Sequence, residues 1–316
     1  MTIRIGVIGT GVMGANHVRV LSDLKDRCHL VGVFDVDEKK AASIAAAFEI
    51  PAYTTFHDLL NTIDAAVIAV PISEHYEVSR MCIERGIHVL IEKPMTETIE
   101  EAEKLKELGK DKSVKVQVGH IELFNPAIKV LKRILNHEEI IAIHIQRLSP
   151  YSDRWRNVDV ITDMMIHDLY ILNYLFESKP QVCSSFGRVI HNKLNHVVAT
   201  LQFKDGLIAT LTGSQVTEEK VRTIQVITKK AYIFVDLMDR KILISRSTNF
   251  FISNHQQADY KQQNIVEKVI VPASEPLREE LQHFIDAIAK DLNPSVSIDE
   301  GIEALQMVDL VKSFHS

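Results

Sequence analysis

Asp163 and His167 stand four residues apart in "VITDMMIHDLYILNYLF", an otherwise apolar run. If the run is a helix, the two side chains project from one face, one turn apart. An imidazole beside a carboxylate can move a proton near neutral pH. The same two residues are compatible with a metal site or with a buried structural pair. A metal needs three or four ligands. Asp163 and His167 supply two, Asp168 lies on another face and no further histidine clusters with them, so no metal is expected. Lys93 is a second chemical group. It follows the apolar run "HVLI" and precedes Pro94, which ends a strand and would fix the lysine in place. There it would put positive charge where an alkoxide develops; a solvated surface lysine is the competing reading.

The elements that would position these groups begin with "IRIGVIGTGVMGANHVRVL". A short apolar run precedes Gly9, Gly11 and Gly14 in the order GxGxxG, and a helical pattern follows. Gly9 suits the tight turn, Gly11 the approach to a pyrophosphate and Gly14 the close packing of helix on strand. The helix N-terminus, at Val12 and Met13, offers free N–H groups to phosphates. Asp35 ends the second strand, at the distance where an acid grips the adenosine ribose, and favours NAD over NADP. Asp37 competes for that role, with a helix cap as its alternative. Strands and helices alternate to about residue 121, which predicts a doubly wound parallel sheet. Ligands in such sheets bind beyond the carboxyl ends of strands. Pro71 and His75 follow one strand end, and Glu92 and Lys93 another, so all four join the cofactor candidates.

Beyond residue 122 the pattern changes to many strands, with "DGL" joining two as a hairpin. A second, α+β domain over 122–316 with a large, open, mostly antiparallel sheet is expected, its two C-terminal helices free to pack back on the first domain. Such a sheet can keep one face for a partner subunit, and a homodimer or homotetramer through it is expected. Arg147, Tyr151, Arg154 and Arg156 crowd the stretch before the "DMMIHD" helix; they suit phosphates, or a solvated loop. Asn125 and His75 suit a ribose or a sugar, or local hydrogen bonds.

Composition bounds the reading. The chain has 316 residues, enough for two domains, and a net charge of −6 with no basic tract, which argues against nucleic acid. The N-terminus reads directly as a strand rather than a secretion signal, and no apolar run is long enough to span a membrane. Three scattered cysteines give neither a zinc site nor a disulfide framework, and a cytoplasmic setting is expected.

GxGxxG, "EKP" at the end of a mid-sheet strand and "DxxxHD" on a later helix together resemble the Gfo/Idh/MocA family of dehydrogenases, along essentially the whole chain. The resemblance implies NAD-dependent transfer of hydride from a secondary hydroxyl of a sugar or nucleotide sugar. It implies Lys93, Asp163 and His167 as catalytic residues, with His167 ranked first for the proton, and Lys93, Asn125, Arg147, Tyr151, Arg154, Asp163 and His167 toward the substrate. "VGHIELFNPA" and "RLSPYSDRWRNVDVITDMMIHDL" resemble the branch acting on nucleotide sugars, with the 3-hydroxyl of UDP-N-acetylglucosamine as the implied substrate. Leu123 stands where that branch has arginine, and Val160–Thr162 where many family members have two glycines. The alternatives are a free-sugar or inositol dehydrogenase of the same family and a dinucleotide-binding regulator without turnover.

Overall fold

The computed structural model describes residues 2–152, 158–176, 178–190, 192–254 and 257–313. The chain divides into two compact units, Met1–Phe124 with Ser274–Gln306 and Asn125–Ala273 with Met307–Ser316.

The first unit opens with β1 (Ile3–Ile8), α1 (Val12–Asp23), β2 (Cys28–Phe34), α2 (Glu38–Phe48) and the short α3 (Phe56–Leu60). It continues with β3 (Ala65–Ile68), α4 (Ile72–Glu84), β4 (His88–Glu92), α5 (Ile99–Asp111) and β5 (Val116–Gly119). All five strands are parallel, in the order β2-β1-β3-β4-β5. Every residue of β3 and β5 is buried, which is why "AAVI" and "VQVG" carry so little polar character. The sequence order reverses at β1, between β2 and β3, the switch point where such sheets leave a crevice at their carboxyl ends. α2 is capped by Asp37, whose carboxylate accepts from the N–H groups of Lys39 and Lys40. A full capping box of Thr98 and Glu101 starts α5.

The second unit holds α6 (Pro126–Leu135), β6 (Ile140–Leu148) and α7 (Ile166–Phe176), the last preceded by a π-helical turn over Ile161–Met165. Seven strands follow: β7 (Pro180–Ile190), β8 (Lys193–Phe203), β9 (Ile208–Ser214), β10 (Val221–Thr228), β11 (Tyr232–Asp236), β12 (Lys241–Asn254) and β13 (Gln257–Val269). They form an eight-stranded sheet with β6, in the order β13-β12-β11-β10-β6-β9-β8-β7. Among the described residues only β6 and β9 pair in parallel, so the sheet is mixed but mostly antiparallel. The "DG" turn between β8 and β9 holds Gly206 at φ +89°, a conformation glycine adopts without strain. β7 was not among the expected strands; Pro180, two serines and Gly187 mask its alternation.

α8 (Pro276–Ala289) belongs to the first unit. Its Leu277, Leu281, Phe284 and Ile285 join Ile5, Val18, Leu21 and Leu90 in one apolar core. α9 (Ile298–Ser313) ends the described chain. Among the described residues no helix is long and apolar enough to cross a membrane.

Candidate active site

The glycine loop meets its three requirements separately. Gly9 lies at φ +90°, and a Cβ there would sit 2.5 Å from the carbonyl oxygen of Ala69. A Cβ on Gly14 would fall 1.9 Å from the Gly9 oxygen, so helix and loop touch only because both residues lack side chains. A Cβ on Gly11 would meet nothing within 4 Å. That open space lies at the N-cap of α1, beside the first-turn N–H groups of Val12 and Met13, and Val12 is 79% exposed. An anion fits there by charge and by room.

Asp35 follows β2 directly and is pinned by the same loop. Its Oδ2 accepts from Thr10 N at 2.6 Å and Thr10 Oγ1 at 2.8 Å, and its Oδ1 from Asp37 N at 2.9 Å. Burial pushes the Asp35 pKa upward, but the N–H groups of Thr10 and Asp37, the Thr10 hydroxyl and the Lys40 charge outweigh it and hold the carboxylate below its ordinary range. Asp35 is thus a fixed anion beside the glycine loop.

At the neighbouring strand ends, Pro71 is exposed and caps α4. His75 is 2% exposed, with Nδ1 2.8 Å from the Pro94 oxygen and Nε2 2.9 Å from the Val70 oxygen. Its ring therefore ties the chain after β3 to the chain after β4. Burial draws its pKa down, against the two carbonyls and the Glu92 charge. Glu92 is buried and meets His17, Nε2 to Oε1 at 2.7 Å. Lys93 is half-buried, and its backbone N–H donates to Glu92 Oε2 at 3.3 Å. His120 follows β5 and is buried; desolvation first, then the Lys93 charge, pulls its pKa down to about 3, so its ring is neutral at physiological pH.

In the second unit, Asp163 and His167 are half-buried and lie on the continuous helix formed by the π-turn and α7. Nδ1 of His167 lies 2.7 Å from the hydroxyl of Tyr170. Tyr170 is 2% exposed, so the partner is held rigidly. The histidine-x-x-tyrosine spacing was the available signal, and it was passed over. Beside the π-turn, Asp159 accepts from Thr162 N at 2.8 Å and Thr162 Oγ1 at 2.9 Å, and Gly213 lets Val160 and Met165 press against β9. π-turns inside helices recur at functional sites.

Arg147 lies in β6, 2% exposed, with Nε 2.8 Å from Oδ1 of the buried Asp168. Asn125 was expected at a ribose or a sugar, or in local hydrogen bonds. It caps α6, with Oδ1 3.0 Å from Ala127 N and Nδ2 3.4 Å from the Leu237 oxygen. Strand phase sets the burial of Arg147, and helix capping sets the place of the Asn125 amide. Tyr151 is 40% exposed. Arg154 and Arg156 lie outside the described residues.

Residues 3–120 match the family model described as an oxidoreductase family with an NAD-binding Rossmann fold, Gfo/Idh/MocA, and residues 132–315 match the C-terminal alpha/beta domain of the same family. The chain belongs to the Gfo/Idh/MocA oxidoreductases. Its first domain is therefore dinucleotide-binding, in agreement with the glycine loop. Among its Gfo/Idh/MocA relatives, UDP-N-acetylglucosamine 3-dehydrogenase of Acidithiobacillus ferrooxidans is 31% identical over 243 residues, covering 77% of this chain and 76% of that protein. A solved structure of that enzyme superposes with a TM-score of 0.89 at 28% identity and 99% coverage of both chains. Inositol 2-dehydrogenase 1 of Saccharopolyspora erythraea is 30% identical over 191 residues, 57% of this chain and 56% of that protein.

Proposed function

We propose that the protein is an NAD-dependent dehydrogenase that oxidises a secondary hydroxyl of a nucleotide sugar, with Lys93, Asp163 and His167 as its catalytic residues. A bound nicotinamide supplies the hydride acceptor. The protein must bind and orient both molecules and handle the hydroxyl proton.

The observation that carries the proton assignment is the Tyr170–His167 bond of 2.7 Å. With Nδ1–H donating to the Tyr170 oxygen, Nε2 keeps its lone pair and takes the hydroxyl proton. The Lys93 ammonium stabilises the oxygen as negative charge develops. Asp163, in the preceding turn, stabilises the imidazolium once formed. Gly9, Gly11, Gly14 and the N–H groups of Val12 and Met13 cradle the diphosphate, and the Asp35 anion accepts from the ribose hydroxyls, favouring NAD and repelling the extra phosphate of NADP. Tyr151 and Arg154 are assigned to the substrate.

The nucleotide-sugar class draws its support from the 31% identity to a UDP-N-acetylglucosamine 3-dehydrogenase. A polyol such as inositol is the second reading, favoured by the 30% identity to an inositol 2-dehydrogenase over a shorter stretch. The subunit contact is assigned to the outer face of the eight-stranded sheet, where Phe186, Ile208, Ile227 and Tyr232 are 63%, 43%, 38% and 41% exposed. The cytoplasm is the assigned compartment, in keeping with free, buried Cys28, Cys82 and Cys183.

The test is nicotinamide reduction with NAD and UDP-N-acetylglucosamine, beside free N-acetylglucosamine and myo-inositol. Turnover with the nucleotide sugar that UDP inhibits supports the reading. Turnover with inositol alone, indifferent to UDP, replaces it with the second.

A further inference from the structure

His17 of α1, Glu92 at the end of β4 and Glu280 of α8 converge inside the first unit. One nitrogen or oxygen from each lies within 4.8 Å of the others, and all three residues are buried. His17 and Glu92 share the 2.7 Å contact already described, with side chains 0% and 10% exposed. Glu280 is fully buried, and neither carboxyl oxygen has a hydrogen-bond partner among the described residues. Its backbone is tied down, because Gln117 Nε2 donates to its carbonyl at 3.2 Å and Gln117 Oε1 lies 3.4 Å from His283 Nδ1. The helix thus holds a carboxyl group in place next to a second one.

Two carboxylates this close and this dry do not both ionise without a cation or a proton between them. The geometry separates these possibilities. Two ligands of a tetrahedral zinc ion, each about 2.0–2.1 Å from the metal, sit roughly 3.4 Å apart. His17 and Glu92 are at 2.7 Å, which is a hydrogen-bond distance. Burial, and next the Glu92 charge, hold the Glu280 carboxyl well above the usual carboxylate range. The Glu92 charge also acts on His75, and the Lys93 charge on His120. Room for the cluster depends on Gly119, where a Cβ would come 3.2 Å from both Cδ and Oε2 of Glu92.

Glu92 is also the residue that accepts from the Lys93 backbone N–H. We infer that Glu280 is held as the neutral acid beside a Glu92 anion anchored by His17, and that this buried brace positions Lys93. His17, Glu92 and Glu280 are then positioning residues, and Glu92 does not touch the dinucleotide. The second half rests on the assignment of Lys93 made above.

The proton is tested without turnover, by the infrared difference spectrum of the full chain, wild type minus Glu280→Gln, at neutral pH. A protonated-carboxyl carbonyl band that shifts in heavy water and is lost in the variant is expected. Loss of carboxylate bands alone, or a stoichiometric metal ion in the wild type that the variant lacks, overturns it. If Glu280→Gln does not fold, the side-chain carboxyl carbon resonances of glutamate-labelled wild type decide the same question. The positioning role is tested by a split. His17→Leu should lower kcat at least about tenfold and leave the NAD Kd within about threefold. His17→Gln, which keeps a donor toward Glu92, should recover most of that loss. An equal loss in Kd overturns the positioning role. If wild type turns over no sugar at all, the positioning half falls with the Lys93 assignment, while the infrared result stands by itself.

Discussion

Arg147 and Asp168 form an ion pair with Nε 2.8 Å from Oδ1, and their side chains are 2% and 1% exposed. Breaking a buried pair leaves an uncompensated charge in a dry environment, which costs about 3–5 kcal/mol. Arg147→Leu and Asp168→Leu should each destabilise the protein by roughly that amount, and the double variant by less than either alone. Urea unfolding of the three variants checks this. Additive losses contradict it.

Tyr170→Phe removes the hydroxyl at Nδ1 of His167 while keeping the ring packing. A single hydrogen bond of about 0.5–1.5 kcal/mol corresponds to roughly a 2- to 10-fold fall in kcat. Substrate KM should change little. Steady-state kinetics decide; a raised KM with unchanged kcat would assign Tyr170 to binding instead.

Asp35 is held as an anion by Thr10 and Asp37. Asp35→Ser should cut the preference for NAD over NADP, measured as a ratio of kcat/KM values, by about 10- to 100-fold, the worth of a charge-assisted bond of roughly 1.5–3 kcal/mol. An unchanged ratio would move the discrimination elsewhere on the chain.

His120 ties stability to pH. Its folded pKa of about 3 lies below the value near 6.5 of an unfolded histidine. The unfolded state therefore takes up a proton that the folded state refuses, and stability is lost as pH falls from about 6.5 toward 3. This residue's share is about 1.4 kcal/mol between pH of about 7.5 and 5.5. His120→Gln should show a correspondingly shallower decline in urea unfolding at the two pH values. Equal declines contradict the assignment.

How far the sequence carried these conclusions depends on where each constraint resides. The glycine loop was legible because each requirement is local: Gly9 needs its φ, Gly14 its contact and Gly11 its open space. The alternation of the first domain and the "DG" hairpin were legible for the same reason. The burial of Arg147 against Asp168 was not, although its place in the alternation of β6 held the clue. Ile143, Ile145 and Arg147 are in phase and all buried, so an arginine there must find a partner indoors. Asn125 preceding Pro126 is a helix-start signal that the sequence reading did not use. Glu92, His17 and Glu280 come from positions up to 263 residues apart, and no local pattern joins them. The π-turn over Ile161–Met165 was not legible, because the spacing of Asp163 and His167 reads equally as a regular α-helix.

The most direct test of the account is kcat for NAD reduction with UDP-N-acetylglucosamine by wild type, Lys93→Met and His167→Asn, with the NAD Kd measured on the same preparations. Each variant should lose about 10²- to 10⁴-fold in kcat, the range of positioned acid–base groups, and keep its Kd within about threefold. A variant that turns over at the wild-type rate would contradict the assignment of that residue to the reaction.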